Sequence, residues 1–478
     1  MNKDNKAIQL DQSFSKSGGE GQVTLIKNSQ ALYGQETVAK EYFKAPDQDK
    51  KAKISYMASV DTTSLLDVTA WPIDAIFEKR SKQLVGYIMP YTGARESIHN
   101  LYTPTSRMKH FPRANWKFLL FVAVNVARAF SKVHKAGHLI GDVNHSNILV
   151  GTDSKVVLID TDSFQVRAPK KTYLCDVGVK DYLPPELFGK NLKQVVRSQN
   201  HDNFSLSIIL FQILFLGRHP FMGRMTTGED VSLEAAVERL LYAYGSNARG
   251  NHVQPPPPHM SFQSTDLPKY VSDLFERSFS KKCLTSGRPS ASEWANSLDK
   301  LRRELVECTS NSNHHHAKGM SCAFCRLDQE RIKKNRSPIF GTPAKSRSGG
   351  LLRRAPQKKQ PIRANQKASP AKGTTRLTPS QLAPEAEFHD LSGVIGPETY
   401  VERLKQSGGA ALAVLVAVGL LDSGAVLLGL LGPAAWLGIA TIQRVKSLGW
   451  EPQHAAWMLL PGVNVGLAIY LAMAKRKM

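Results

Sequence analysis

The chain is 478 residues long, 42% apolar and 22% charged, with a formal net charge of +23. At roughly 100–200 residues per domain this is length for two to four units, which excludes a peptide toxin, a disulfide mini-protein and a wholly disordered chain. The charge is concentrated: from Arg326 to Arg376 fifteen Lys/Arg stand against Asp328 and Glu330, a local excess of +13, while the residues from Leu377 onward net zero.

The N-terminal stretch MNKDNKAIQLDQ lacks the apolar core of a secretory signal, so the bulk of the chain is expected to begin in the cytosol. Five cysteines (Cys175, Cys283, Cys308, Cys322, Cys325) are too few and too unevenly placed for a disulfide framework, in keeping with a reducing compartment. Ser17–Val23 (SGGEGQV) reads as a glycine-rich turn between strands, where Gly18, Gly19 and Gly21 let backbone approach phosphate oxygens. Val38-Ala39-Lys40 lies in the next apolar run, and a lysine there can pair with the same oxygens. Leu84–Tyr91 (LVGYIMPY) reads as a further strand. Trp116–His134 repeats apolar residues at helical spacing (Phe118, Phe121, Val122, Val126, Phe130, Val133). Gly137–Val150 follows, carrying Asp142 and Asn147, and then strand-like Lys155–Ile159 ends in Asp160-Thr161-Asp162.

Together these residues resemble the protein kinase superfamily over residues 9–305, in its bacterial eukaryotic-like Ser/Thr group. Asp142 and Asn147 match the catalytic-loop D-x-x-x-x-N, and Asp160 matches the metal-binding aspartate of D-F-G. The resemblance implies an α+β two-lobed protein-kinase-like fold that binds ATP and Mg2+ and phosphorylates protein substrates. Asp142 is expected to orient the attacking hydroxyl and accept its proton, Asn147 and Asp160 to hold Mg2+, and Lys40 to position the non-transferred phosphates. Gly18, Gly19, Gly21 and Val23 would cover the nucleotide, and Pro90 and Tyr91 would offer hinge backbone to adenine. Tyr182–Glu186 resembles the end of the activation segment. His201–Ser207 and the apolar run after it look like the buried helix of the large lobe, and Arg288 is the expected partner of Glu186.

The sequence also departs from the family pattern. Lys16 stands at the first glycine of the phosphate loop, Ile140-Gly141 replaces His-Arg before Asp142, Asn144 replaces the usual lysine, and D-F-G is Asp160-Thr161-Asp162. Without that arginine, phosphorylation of Thr172 or Tyr173 is not expected to be an obligatory switch. The candidate regulatory helix, Asp47–Val60, contains no glutamate, and Ala52 occupies the apparent position of the Lys40 partner. Either Asp47 or Asp49 supplies the carboxylate, or Lys40 lacks its usual partner.

Beyond the kinase-like region, Cys308, His314-His315-His316 and Cys322-Ala323-Phe324-Cys325 suit a closed tetrahedral zinc site. The segment 306–330 resembles the zinc knuckle that follows the kinase domain in some bacterial kinase-like proteins; Cys308, Cys322 and Cys325 with His315 are the expected ligands, although the spacing alone does not choose among His314, His315 and His316. Residues 331–405 read as a disordered basic linker. Leading into apolar runs and lacking interleaved aromatics, it suits contact with membrane lipid, or a spacer role, better than nucleic acid. Residues 408–478 hold two apolar runs long enough to span a bilayer. Two spans, with both flanks cytoplasmic, fit best; a pair of short helices around Asp422 would put the C-terminus outside. The expectation is a multi-pass membrane-tethered Ser/Thr kinase with its kinase domain on the cytoplasmic face. The alternative is a pseudokinase that binds nucleotide or a partner and catalyses nothing.

Overall fold

A computed structural model describes residues 1–340 apart from Thr62. The expected basic linker beyond residue 340 and the expected spans at 408–478 lie outside the described residues. Among the described residues no helix is long and apolar enough to cross a membrane.

Residues 10–90 build an antiparallel five-stranded sheet in the order β1-β2-β3-β5-β4, with β1 Leu10–Ser17, β2 Gly21–Ile26, β3 Thr37–Tyr42, β4 Asp74–Phe77 and β5 Leu84–Pro90. Its register sets Val23 of β2 beside Lys40 of β3, and Lys40 beside Tyr87 of β5. One helix, α1 (Gln48–Met57), crosses between β3 and β4; the Asp47 side chain caps it by accepting from Lys50 N–H at 2.7 Å.

The second lobe is helical. Helix α2 (Trp116–Lys135) follows the expected periodicity, and the Asn115 side chain caps it by accepting from Phe118 N–H at 3.1 Å. Strands β6 (Ile148–Val150) and β7 (Val156–Leu158) then form a short antiparallel ladder that delivers the chain to Asp160. Helix α3 (Gln199–Leu214) is buried on all sides from Asp202 to Leu214, so it forms the centre of this lobe. Helices α4 (Lys269–Phe279) and α5 (Ala291–Glu304) pack around it. Phe211 of α3 is fully buried, stacked at 3.7 Å on Phe215 and edge-on to Phe275 at 5.2 Å. Phe211→Ala is expected to destabilise the fold by about 3–5 kcal/mol, read as a shift in the denaturant midpoint.

The chain continues past α5 into a hairpin, β8 (Leu305–Cys308) and β9 (Asn311–Ala317), and a helix, α6 (Ala323–Lys333). These elements rest on the large lobe. The Phe324 ring meets Trp116 at 5.5 Å and Phe262 at 5.6 Å, and Arg326 pairs with both carboxylate oxygens of Asp266 at 3.0 and 2.6 Å. The expected linker start at residue 331 needs correction, because α6 runs through Lys333 and residues 339–340 are packed. Ile339 and Phe340 are buried, with Ile339 C=O accepting from Arg107 Nη2 at 3.0 Å and the Arg107 guanidinium lying 4.6 Å from the Phe340 ring.

Candidate active site

The glycine-rich turn joins β1 to β2 and is closed by Gly18 N–H donating to Gly21 C=O at 2.8 Å. Gly21 is required by close approach, since a Cβ there would lie 2.4 Å from the Glu41 carbonyl oxygen. At the hinge, Pro90 ends β5, Tyr91 N–H donates to Glu36 C=O at 3.0 Å, and the Tyr91 ring meets Phe14 edge-on at 5.4 Å.

Lys40 projects from β3 toward the turn after β7, and its Nζ donates to Asp160 Oδ1 and to Asp162 Oδ1, both at 2.7 Å. Asp162 also accepts from the hydroxyls of Tyr87 and Tyr42, each at 2.8 Å, and Lys50 Nζ of α1 stands 3.3 Å from Asp162 Oδ2. The same Lys50 reaches Glu20 of the glycine-rich turn at 2.5 Å. Lys53, one turn further along α1, is buried and donates to the Asp162 carbonyl at 2.6 Å. Burial alone would raise the Asp162 pKa, but the Lys40 and Lys50 cations and the hydrogen bonds from Lys40 and Tyr42 hold it well below the usual carboxylate range. Asp160 moves the opposite way, raised by burial and by the Asp162 charge against the pull of Lys40. Burial pushes Lys53 down to about 8.

Neither carboxylate considered for Lys40 from sequence is its partner: Asp47 caps α1 and Asp49 pairs with Lys171 at 2.8 Å. Ala52 is exposed, and Lys50 and Lys53 are the α1 residues that face the site. The second aspartate of Asp160-Thr161-Asp162 was the available signal.

Below this cluster, Asn147 Nδ2 donates to the Asp142 carbonyl at 3.0 Å and to Asp142 Oδ2 at 3.1 Å, and Asn144 Nδ2 donates to the same Oδ2 at 3.2 Å. Ile159 N–H donates to Asn147 C=O at 3.0 Å, tying the catalytic loop to the residue before Asp160. Asp160 adopts a left-handed backbone, φ +59°, a conformation that costs a non-glycine residue about 1–3 kcal/mol and gathers at functional sites. It is held there by Ser163, whose N–H and Oγ donate to Asp160 C=O at 3.0 and 2.7 Å. Burial raises the Asp142 pKa and the Asp160 charge adds to it, against the pull of the Asn144 and Asn147 hydrogen bonds. Asp142 Oδ1 has no hydrogen-bond partner among the described residues.

Two buried groups hold the loop from behind. Asp202 of α3 accepts from the N–H groups of Ile140 and Gly141 at 2.8 and 3.0 Å and meets His134 Nε2 at 2.9 Å. Arg197, which no sequence motif marks, donates to the carbonyls of Gly141 and Val177, bridging the catalytic loop and the segment after Tyr173. Gly141 has φ +71°, and a Cβ there would lie 2.6 Å from Cys175 Sγ. Glu186 and Arg288 pair through both guanidinium Nη atoms at 2.6 and 3.0 Å. With a built-in cation bridging these segments, the Thr172→Ala/Tyr173→Phe double variant is expected to keep activity within a few-fold of wild type in a transfer assay. Loss of all activity would contradict it.

Cys308 Sγ lies 3.5 Å from Cys325 Sγ, and His314 Nδ1 lies 3.5 Å from Cys325 Sγ and 3.8 Å from Cys322 Sγ. Ligands about 2.0–2.3 Å from a tetrahedral zinc ion are separated by edges of about 3.5–3.8 Å, so this donor set fits. His314 Nε2 meets Asp328 Oδ2 at 3.0 Å, which orients the ring with Nδ1 toward the thiols. The expected ligand His315 is not in the cluster. Successive β9 side chains point to opposite faces, and the His315 Nδ1 is buried without a hydrogen-bond partner among the described residues.

A strand lysine paired with the aspartate after β7, beneath a glycine-rich turn and above an Asp–Asn loop, is the arrangement of a two-lobed protein-kinase-like fold. The protein kinase domain profile matches residues 16–296, more than half the chain, and the chain belongs to that family. It is 38% identical over 320 residues to "Protein kinase YegI" of Escherichia coli (strain K12), covering 66% of this chain and 48% of that protein. An Aurora kinase of Schizosaccharomyces pombe (strain 972 / ATCC 24843) is 33% identical over 157 residues, 32% of this chain and 38% of that one. "Serine/threonine-protein kinase PknD" of Chlamydia caviae is 28% identical over 124 residues, 22% of this chain and 13% of that protein. The chain thus spans about half the length of the YegI relatives it matches.

Proposed function

We propose that the chain is an active protein kinase that transfers the γ-phosphoryl group of ATP to protein Ser/Thr hydroxyls. The observation that carries this reading is the Asp142 carboxylate, its Oδ2 fixed by Asn144 and Asn147 and its Oδ1 buried without a hydrogen-bond partner among the described residues. An acceptor hydroxyl that reached Oδ1 would satisfy this buried oxygen and be aligned for attack, and the raised Asp142 pKa suits it to take the proton as the new O–P bond forms and the bond from the γ-phosphorus to ADP breaks. Lys40 would bind the non-transferred phosphates and Gly18, Gly19, Gly21 and Val23 would cover them. At the hinge Pro90 has no N–H and Tyr91 N–H is already engaged, which leaves the Thr92 amide as the next donor for adenine.

Mg2+ fits at Asn147 and Asp160. Asn147 uses its Nδ2 on Asp142, leaving Oδ1 for a cation, and the Asp160 side chain is 37% exposed and bonded to Lys40 through Oδ1. Bound there, the ion neutralises phosphate charge.

The Ser/Thr preference is supported by the similarity to the serine/threonine-protein kinase of Chlamydia caviae, and it is tested by the residues labelled. Incubating the full chain with Mg2+, γ-labelled ATP and a generic protein acceptor should give phosphoserine and phosphothreonine. Label on tyrosine only would refute the Ser/Thr assignment, and label no higher than that of an Asp160→Ala control would refute the enzyme reading. A structural zinc ion at Cys308, His314, Cys322 and Cys325, and tethering to a membrane through the apolar runs within 408–478, belong to the same proposal. The composition of those runs and the preceding basic segment support the tether.

A further inference from the structure

We infer that Asp162 is the positioning residue that holds Lys40 for phosphate binding, in place of a carboxylate on helix α1. The inference rests on reading this site as one that binds ATP phosphates.

A lysine that grips phosphates needs a counter-charge that fixes its ammonium without occupying the phosphate position. On this chain α1 cannot supply one, because the residues it turns inward are Lys50 and Lys53. Asp162 can. Its side chain is 1% exposed, against 37% for Asp160, so it lies behind Lys40 and away from incoming ligand. Every group around it anchors rather than reacts: the hydroxyls of Tyr42 and Tyr87 fix the carboxylate from β3 and β5, Lys50 faces its Oδ2, and Lys53 holds its carbonyl. Asp160 is the Lys40 partner that remains open to ligand, and only Thr161 separates it from Asp162.

The arrangement changes what the helix does. Where a helix carboxylate holds the lysine, moving the helix breaks the pair. Here the carboxylate travels with Asp160 on the turn after β7, and α1 adds cations to it. The ion pair is therefore built into the same short turn as the metal-binding aspartate, and Lys53 carries the charge opposite to the one a helix partner would need.

The test uses the full chain. ATP binding is measured by calorimetry with Mg2+, with Lys40→Met as reference, and transfer kinetics are measured alongside. Asp162→Asn should weaken ATP binding about tenfold or more, as Lys40→Met does, while the KM for the protein acceptor stays within about twofold. Because a buried substitution can impair folding, Asp162→Gly is compared with the double variant Lys53→Glu/Asp162→Gly, which moves the carboxylate onto α1. The double variant should recover ATP affinity relative to Asp162→Gly. Unchanged ATP affinity in Asp162→Asn, or no recovery in the double variant, would overturn the inference. Wild-type chain that binds ATP but transfers no phosphoryl group would refute the enzyme reading alone, since the binding comparisons still report on Asp162.

Discussion

Asp142→Ala is expected to lower kcat for phosphoryl transfer by about 100-fold or more, the size of a lost general base and hydroxyl-orienting group. The KM for ATP should change by less than about threefold, because the nucleotide contacts lie on Lys40, the glycine-rich turn and the hinge. Asp142 forms only the floor of the site, with Oδ2 tied to Asn144 and Asn147 and the loop itself held by Asp202 and Arg197. The loop should keep its shape in the variant, so the loss falls on the chemical step. Equal losses in ATP affinity and in kcat would show that the side chain supports the fold rather than the reaction.

Loss of the Cys/His cluster is the second large expected effect. Structural zinc in small domains contributes about 10–16 kcal/mol of apparent binding free energy at neutral pH, and here it would close a hairpin and helix onto the large lobe. Asp328 links that cluster to the end of the described chain, with Oδ2 on His314 Nε2 and Oδ1 accepting from Ile339 N–H at 2.8 Å. Purified full chain should carry about one equivalent of zinc. Cys322→Ser and His314→Ala should remove it, lower Tm by about 5 °C or more and open residues 305–340 to protease, whereas His315→Ala should retain the metal. Less than half an equivalent in wild type, or unchanged content in Cys322→Ser, would contradict the site.

Elements with local periodicity were legible in the sequence. The 3.6-residue repeat of Trp116–His134 appears as α2 with one more residue, and the apolar run after His201 is the buried α3. The residues Asp142, Asn147, Asp160 and Lys40 could be named because their spacing is local or their strand context is strong. Their geometry could not, because it depends on pairings across 120 residues or more, as in Lys40–Asp160 and Lys40–Asp162. Ala52, the expected position of the Lys40 partner, is one residue from Lys53, and one residue on a helix turns a side chain by about 100°. His314 and His315 differ only in strand face, which requires the β8–β9 register to be known. Arg197 carries no local signal; its two carbonyl partners lie 56 and 20 residues away.

The departures from the family pattern have structural replacements that keep the site assembled. Arg197 bridges the catalytic loop and the segment after Tyr173 where the arginine before Asp142 is missing, and Asp162 meets Lys40 where the helix has no glutamate. These contacts favour the enzyme over the pseudokinase.

The most direct measurement is time-resolved phosphoryl transfer from Mg2+-bound ATP by the full chain, wild type against Asp142→Ala. The enzyme reading predicts steady product from wild type and a rate at least about 100-fold lower from the variant. Equal rates in the two proteins, or no product from either despite ATP binding, would contradict it.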